Sequence, residues 1–72
     1  MDIGSKVEVI DIGLCDEGEV KIGDKGKIVE YHYTIERWWE EGHPLDHKVT
    51  VKFPDGRHGR CVNMWGSDLR EI

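Results

Sequence analysis

KVTVKFPDGR, residues 48–57, decides the fold. Lys48 to Phe53 alternates polar and apolar side chains without a break, which places Val49, Val51 and Phe53 on one face of a strand. Pro54-Asp55-Gly56 then supplies a fixed φ, a side chain that supports a turn and a residue free to take positive φ, so a hairpin is expected. A three-residue turn sets Phe53 opposite Arg57, Val51 opposite Gly59 and Val49 opposite Cys61. The outer face then collects Lys48, Thr50, Lys52, His58, Arg60 and Val62. A two-residue turn brings His58 and Arg60 beside Val51 and Phe53 and forces charge toward the core. Because a one-residue slip exchanges the faces, the three-residue register is the expectation.

Working outward, Lys6–Val9 alternates in the same way, and Ile10 interrupts the pattern before Ile12 resumes it, which suggests a bulge or bend. Residues 13–18 have no periodicity and read as a loop. Val20 and Ile22 alternate with Glu19 and Lys21 up to a glycine-flanked turn, Gly23 to Gly26. KIVEYHY, Lys27 to Tyr33, is β-branched and aromatic and predicts a second long strand. TIERWWEEGHPLDH, residues 34–47, admits two structures. One is a short helix over Ile35–Glu41, capped by Thr34, ended by Gly42 and barred from resuming by Pro44; the other is a long hairpin loop. Asn63 to Gly66 predicts a single helical turn, and Ser67 to Ile72 a short closing strand. The fold class is therefore all-β: five short strands in a small, strongly bent antiparallel barrel with a helical turn before the last. Its expected core is Val7, Val9, Ile28, Val49, Val51, Phe53, Cys61 and Leu69. Seventy-two residues make one thin-cored domain.

The net charge of −5 is unevenly distributed. Acids dominate residues 1–30 and 31–47, whereas Lys48, Lys52, Arg57 and Arg60 outweigh Asp55 in residues 48–62. Such a chain repels nucleic acid overall and offers one local basic face, which also suits a solvated strand surface. No apolar run reaches the roughly 20 residues of a membrane helix. No secretory signal is visible, and the two cysteines, Cys15 and Cys61, do not make a disulfide framework, so a cytoplasmic setting is expected.

Catalysis has little support. Cys15 and Cys61 accompany four histidines, but no spacing favours a nucleophile–base pair, and Cys61 is expected in the core. The chain is read as no enzyme, with no cofactor and no small-molecule substrate. His43 and His47 lie four apart with Asp46 between them, and His32 or His58 could complete a set. Pro44 breaks the helix that would align them, and they are read as solvated loop residues, with no metal. Trp38 and Trp39 are adjacent. They either roof an open barrel end or form an aromatic contact surface of the kind enriched at interface hot spots. Tyr31, Tyr33 and Trp65 are candidates for stacking bases beside the basic face. Glu36, Glu40 and Glu41 around the tryptophans repel phosphate and favour a protein partner.

Four stretches, Gly4-Ser-Lys-Val-Glu-Val-Ile10, Gly23-Asp-Lys-Gly-Lys-Ile-Val29, VKFPDGR (Val51 to Arg57) and SDLREI (Ser67 to Ile72), together resemble the Src-homology-3-like small barrels, in particular the KOW type. The second stretch is similar to that type's glycine-x-x-glycine-x-hydrophobic pattern. The resemblance spans nearly all of the chain except residues 34–47; the acidic first loop and the Trp-Trp insertion depart from it. It implies a binding module that touches RNA, ribosomal protein or RNA polymerase, and a single such module suits a small regulator of the sort phages encode, acting in the host cytoplasm. The expected function is a non-catalytic module that binds a protein of the transcription or translation machinery through Trp38, Trp39, Lys48, Lys52, Arg57, His58 and Arg60. The alternatives are direct RNA binding on the basic hairpin face 48–62, and an acidic nucleic-acid mimic built from the carboxylates of residues 1–47.

Overall fold

The computed structural model describes residues 2–12, 20–54 and 59–72. Five strands, β1 (Lys6–Val9), β2 (Lys25–Glu36), β3 (Leu45–Phe53), β4 (Arg60–Trp65) and β5 (Leu69–Glu71), form one antiparallel sheet in the order β4-β3-β2-β1-β5. A 3-10 turn, Gly66–Asp68, precedes β5 as the sequence predicts. No ladder joins the edge strands β4 and β5 among the described residues, so the sheet is not closed by hydrogen bonds.

The sheet nevertheless folds over one core. Val7, Val9, Val20, Ile28, Val49, Val51, Phe53, Val62, Met64 and Leu69 form a single buried cluster to which every strand contributes. The bending comes from β2, whose pairing with β3 shifts register between Ile28 and Glu30 and again between Tyr31 and Tyr33. Each shift inserts an extra residue on β2 and increases local twist. It also reverses the faces that follow: Ile28 is in the core, whereas Glu30, two residues on, is exposed.

The β3–β4 hairpin differs from its expected register. Phe53 pairs with Arg60, Val51 with Val62 and Val49 with Met64. Residues 54–59 separate the strands, so the connection is longer than the three residues that Pro54-Asp55-Gly56 suggests. The partner of Val49 moves from Cys61 to Met64, an odd displacement that exchanges the faces of β4. Cys61 is consequently exposed, and Val62 and Met64 enter the core. Their alternation also explains why Asn63 to Gly66 is not a helical turn: β4 continues to Trp65 and the turn starts at Gly66. Arg60 does lie beside Phe53, at the core's rim, with its guanidinium carbon 5.5 Å from the ring centroid and its Nη2 3.7 Å from Asp24. The expected outer position of Arg60 is thereby overturned.

Two other segments are decided by the structure. Residues 34–47 form a hairpin, the second alternative: β2 runs on to Glu36 and β3 begins at Leu45. No helix forms in the connection, where the Arg37 amide donates to the Pro44 carbonyl at 2.8 Å. Lys21 to Asp24 is a turn rather than the end of a strand, closed by Asp24 N–H to the Lys21 carbonyl at 3.0 Å. Val20 is buried and Ile22 is exposed. Beyond Val9 the chain leaves the ladder, and Ile10 donates to the Asp68 carbonyl at 2.9 Å. The loop expected at residues 13–18 lies outside the described residues.

Candidate functional site

The long β2–β3 hairpin projects past β1, and the molecule measures 41 × 21 × 20 Å along its principal axes. At its tip, beyond the last ladder pair Glu36–Leu45, Trp38 and Trp39 are 72% and 58% exposed. Both are exposed and neither belongs to the buried cluster, so they do not roof the core. Their rings meet edge to face with centroids 6.0 Å apart, a favoured aromatic geometry. Leu45 adds a third exposed apolar side chain.

The turn that carries them is held by short backbone bonds, Glu40 N–H to Arg37 carbonyl and His43 N–H to Glu40 carbonyl, with Gly42 and His43 both at positive φ. Arg37 organises its charge: it pairs with Glu40, lies 3.6 Å from Asp46 and stacks 5.9 Å from the Trp39 centroid. Glu36 meets His43 at 3.2 Å. Glu36, Glu40, Glu41 and Asp46 against one arginine leave the tip acidic as well as apolar.

The basic residues expected to accompany the tryptophans do not join them. Lys52 sits seven positions from Leu45 along β3, about 23 Å at strand rise. Lys48 lies over the Trp65 ring at 5.1 Å, a cation–π contact. Arg60 is committed to Phe53 and Asp24 as described. Arg57 and His58 lie outside the described residues.

The proposed stacking residues separate as well. Tyr33 pairs with Lys48, which pairs with Trp65, and the Tyr33 and Trp65 rings are 6.0 Å apart and nearly perpendicular. Tyr31, despite matching Tyr33 in parity, lies across the register shift on the face of Val49. There its hydroxyl bonds Thr34 and lies 2.9 Å from His47 Nδ1, which is 2.8 Å from Thr34 Oγ1. His43 and His47 thus have separate partners, and no group of three or more His, Cys, Asp or Glu side chains placed to hold a metal occurs among the described residues.

Sequence reasoning missed the arrangement at the other end of the outer face. Lys6 pairs with Lys27, and Lys27 with Lys52, so three lysines stand side by side across β1, β2 and β3. Lys25 is two residues before Lys27 and on its face. With Gly26, Val29, Pro54 and Ile72 they line a groove of about 420 Å³. The sequence signal available was Lys25-Gly-Lys27, a lysine alternation, but its partners are remote in the chain. Between this end and the Tyr33–Trp65 contact, Thr50 donates to Asn63 at 2.6 Å and meets His32 Nε2 at 2.6 Å.

Comparison of the chain with protein-family models, curated proteins and solved structures finds no match.

Proposed function

We propose that this chain is a non-catalytic interaction module that docks on a protein of the transcription or translation machinery through the tip of the β2–β3 hairpin. The observation that carries this reading is the exposed Trp38–Trp39 pair on a projecting arm. Burying two large aromatic side chains against a partner is the usual source of hot-spot energy. The acidic surround selects the partner's chemistry: an apolar pocket rimmed by Lys or Arg, as found on proteins that themselves handle nucleic acid. The five-stranded antiparallel sheet with its 3-10 turn before the last strand supports the Src-homology-3-like reading of the fold. No helix among the described residues is long and apolar enough to cross a membrane, which is consistent with a small cytoplasmic regulator.

The alternatives fare less well at the places first assigned to them. On the basic hairpin 48–62, Lys48 is engaged with Trp65 and Arg60 with Asp24, which leaves Lys52 as its outward cation among the described residues. For an acidic mimic, Glu8, Asp24, Glu36, Glu40 and Asp46 each sit against a basic side chain rather than in a free row.

The test is to recover a partner from nuclease-treated lysate on immobilised wild-type chain, purify it, and titrate it against wild type, Trp38→Ala and Trp39→Ala. A transcription or translation protein whose affinity falls at least about 30-fold on either substitution, the roughly 2 kcal/mol of a hot spot, is the expected result. Equal affinity for all three chains would overturn the docking tip.

A further inference from the structure

Like charges placed directly opposite each other in a sheet are destabilising, yet here three lysines occupy adjacent positions of one cross-strand row in a chain of net charge −5. None of Lys6, Lys25, Lys27 and Lys52 forms an ion pair with another described residue. The nearest acid by register, Glu8 opposite Lys25, is bonded to Arg70 instead. Glu30 is the acid on the same face further along β2, and its carboxylate is directed to His32 at 4.0 Å. The groove between the lysine stems is apolar, walled by Val29, Pro54 and Ile72. It is a cationic rim around an apolar slot, which calls for a ligand with anionic groups and a flat or apolar body.

The described cations of the groove are lysines, point charges that bind phosphate or carboxylate oxygens singly, without the fork by which arginine grips either. Two further features choose among such ligands. The strands beneath the groove are interior to the sheet, β1 between β2 and β5, β2 between β1 and β3, and β3 between β2 and β4. A peptide lying there would find no free strand edge to pair its backbone. Across two strand spacings Lys6 and Lys52 are about 10 Å apart, a row rather than a single-anion pocket. The same face then continues past Thr50 and Asn63 to Tyr33 and Trp65, which gives an extended polymer somewhere to run.

We propose that this groove binds single-stranded nucleic acid, with backbone phosphates on Lys6, Lys27 and Lys52 and a base seated against Val29, Pro54 and Ile72. The site is separate from the tryptophan tip, at the opposite end of β3, so one chain can hold nucleic acid and a protein partner together.

The experiment is fluorescence anisotropy with a labelled oligouridylate of about eight nucleotides, within the usual span of single-strand sites. Wild type, Lys27→Gln, Lys52→Gln and Trp38→Ala are titrated, with circular dichroism to confirm that each is folded. With three phosphates neutralised, affinity should fall about 20-fold between about 50 and 200 mM salt; each lysine substitution should reduce that to about 7-fold. Trp38→Ala should behave as wild type, so this result is independent of the docking tip. Parallel titrations use uridine triphosphate, a glutamate-rich peptide and phosphatidylserine vesicles. Absence of oligonucleotide binding at the lower salt, unchanged salt dependence in both lysine variants, or tighter binding to any of the three other probes would overturn the proposal.

Discussion

Lys27 stands directly opposite Lys52 in the β2–β3 ladder, and on its other side it faces Lys6. The middle lysine therefore meets a like charge from both neighbours at cross-strand distance. Replacing it with glutamine keeps most of the stem that covers the groove while removing both repulsions. Lys27→Gln should stabilise the fold by a few tenths of a kcal/mol, the scale of one cross-strand pair. The wild type should also gain more stability than the variant as salt rises, because added ions screen the exposed row. Urea melts of both chains at low and moderate salt measure this; a destabilised Lys27→Gln would mean that the ammonium is held by something in the fold.

The register of the β3–β4 hairpin makes a second, sharper contrast. Met64 is fully buried opposite Val49, whereas Cys61 is exposed opposite Lys52. Met64→Ala should cost about 2–5 kcal/mol through lost burial and a residual cavity. Cys61→Ser should change stability by no more than about 0.5 kcal/mol. The register first inferred from Pro54-Asp55-Gly56 predicts the reverse order, so a pair of denaturation curves separates the two arrangements.

That contrast marks where sequence reading ends. Lys6–Val9 and the end of β3 at Phe53 were legible because strict alternation spans each of them, and the closing strand was legible from Leu69. The turn sequence at Pro54 was also visible, but local turn chemistry does not count the residues between strands, and one odd error exchanged Cys61 for Val62 and Met64. The register shifts in β2 leave no mark in KIVEYHY, yet they send Tyr31 and Tyr33 to opposite faces. The adjacency of Trp38 and Trp39 left two readings open, a roof over a barrel end or a contact surface, and only the hairpin shows both of them exposed. The lysine row could not be seen at all: residues 6, 27 and 52 meet only through two ladders whose registers the sequence does not state.

Gly26 shows how tightly those ladders are packed. A Cβ there would lie 2.8 Å from the Lys52 carbonyl oxygen and from Val51 Cγ1, and 2.9 Å from Phe53 Cδ1. One of these neighbours is backbone and the others are core side chains, so none can swing aside. Gly26→Ala should therefore destabilise by about 1–3 kcal/mol, the usual cost of overpacking. If the β2–β3 ladder also parts here, amide exchange of the Lys27–Lys52 region will accelerate beyond that of β4. An alanine variant as stable as wild type would mean that the two backbones do not approach this closely.

Asp46 joins the base of the arm to the turn before β5. Its carboxylate is buried and accepts from the His47 amide at 2.9 Å, the Ser67 amide at 3.1 Å and the Ser67 hydroxyl at 2.8 Å. Truncating it strands several donors at once, whereas truncating Ser67 removes a single one. Asp46→Ala should cost about 1–3 kcal/mol, and Ser67→Ala about 0.5–1.5 kcal/mol. The two losses should not add, because both substitutions break the same contact. A double-mutant cycle read by urea denaturation tests this, and strict additivity would show that the carboxylate holds the turn through no bond to the Ser67 hydroxyl. Arg37 touches Asp46 from the tip side at 3.6 Å, so Asp46→Ala should also loosen the turn that carries Trp38 and Trp39. Protein binding at the tip should then weaken while oligonucleotide binding at the lysine row stays unchanged, a split that a general loss of folding would not produce.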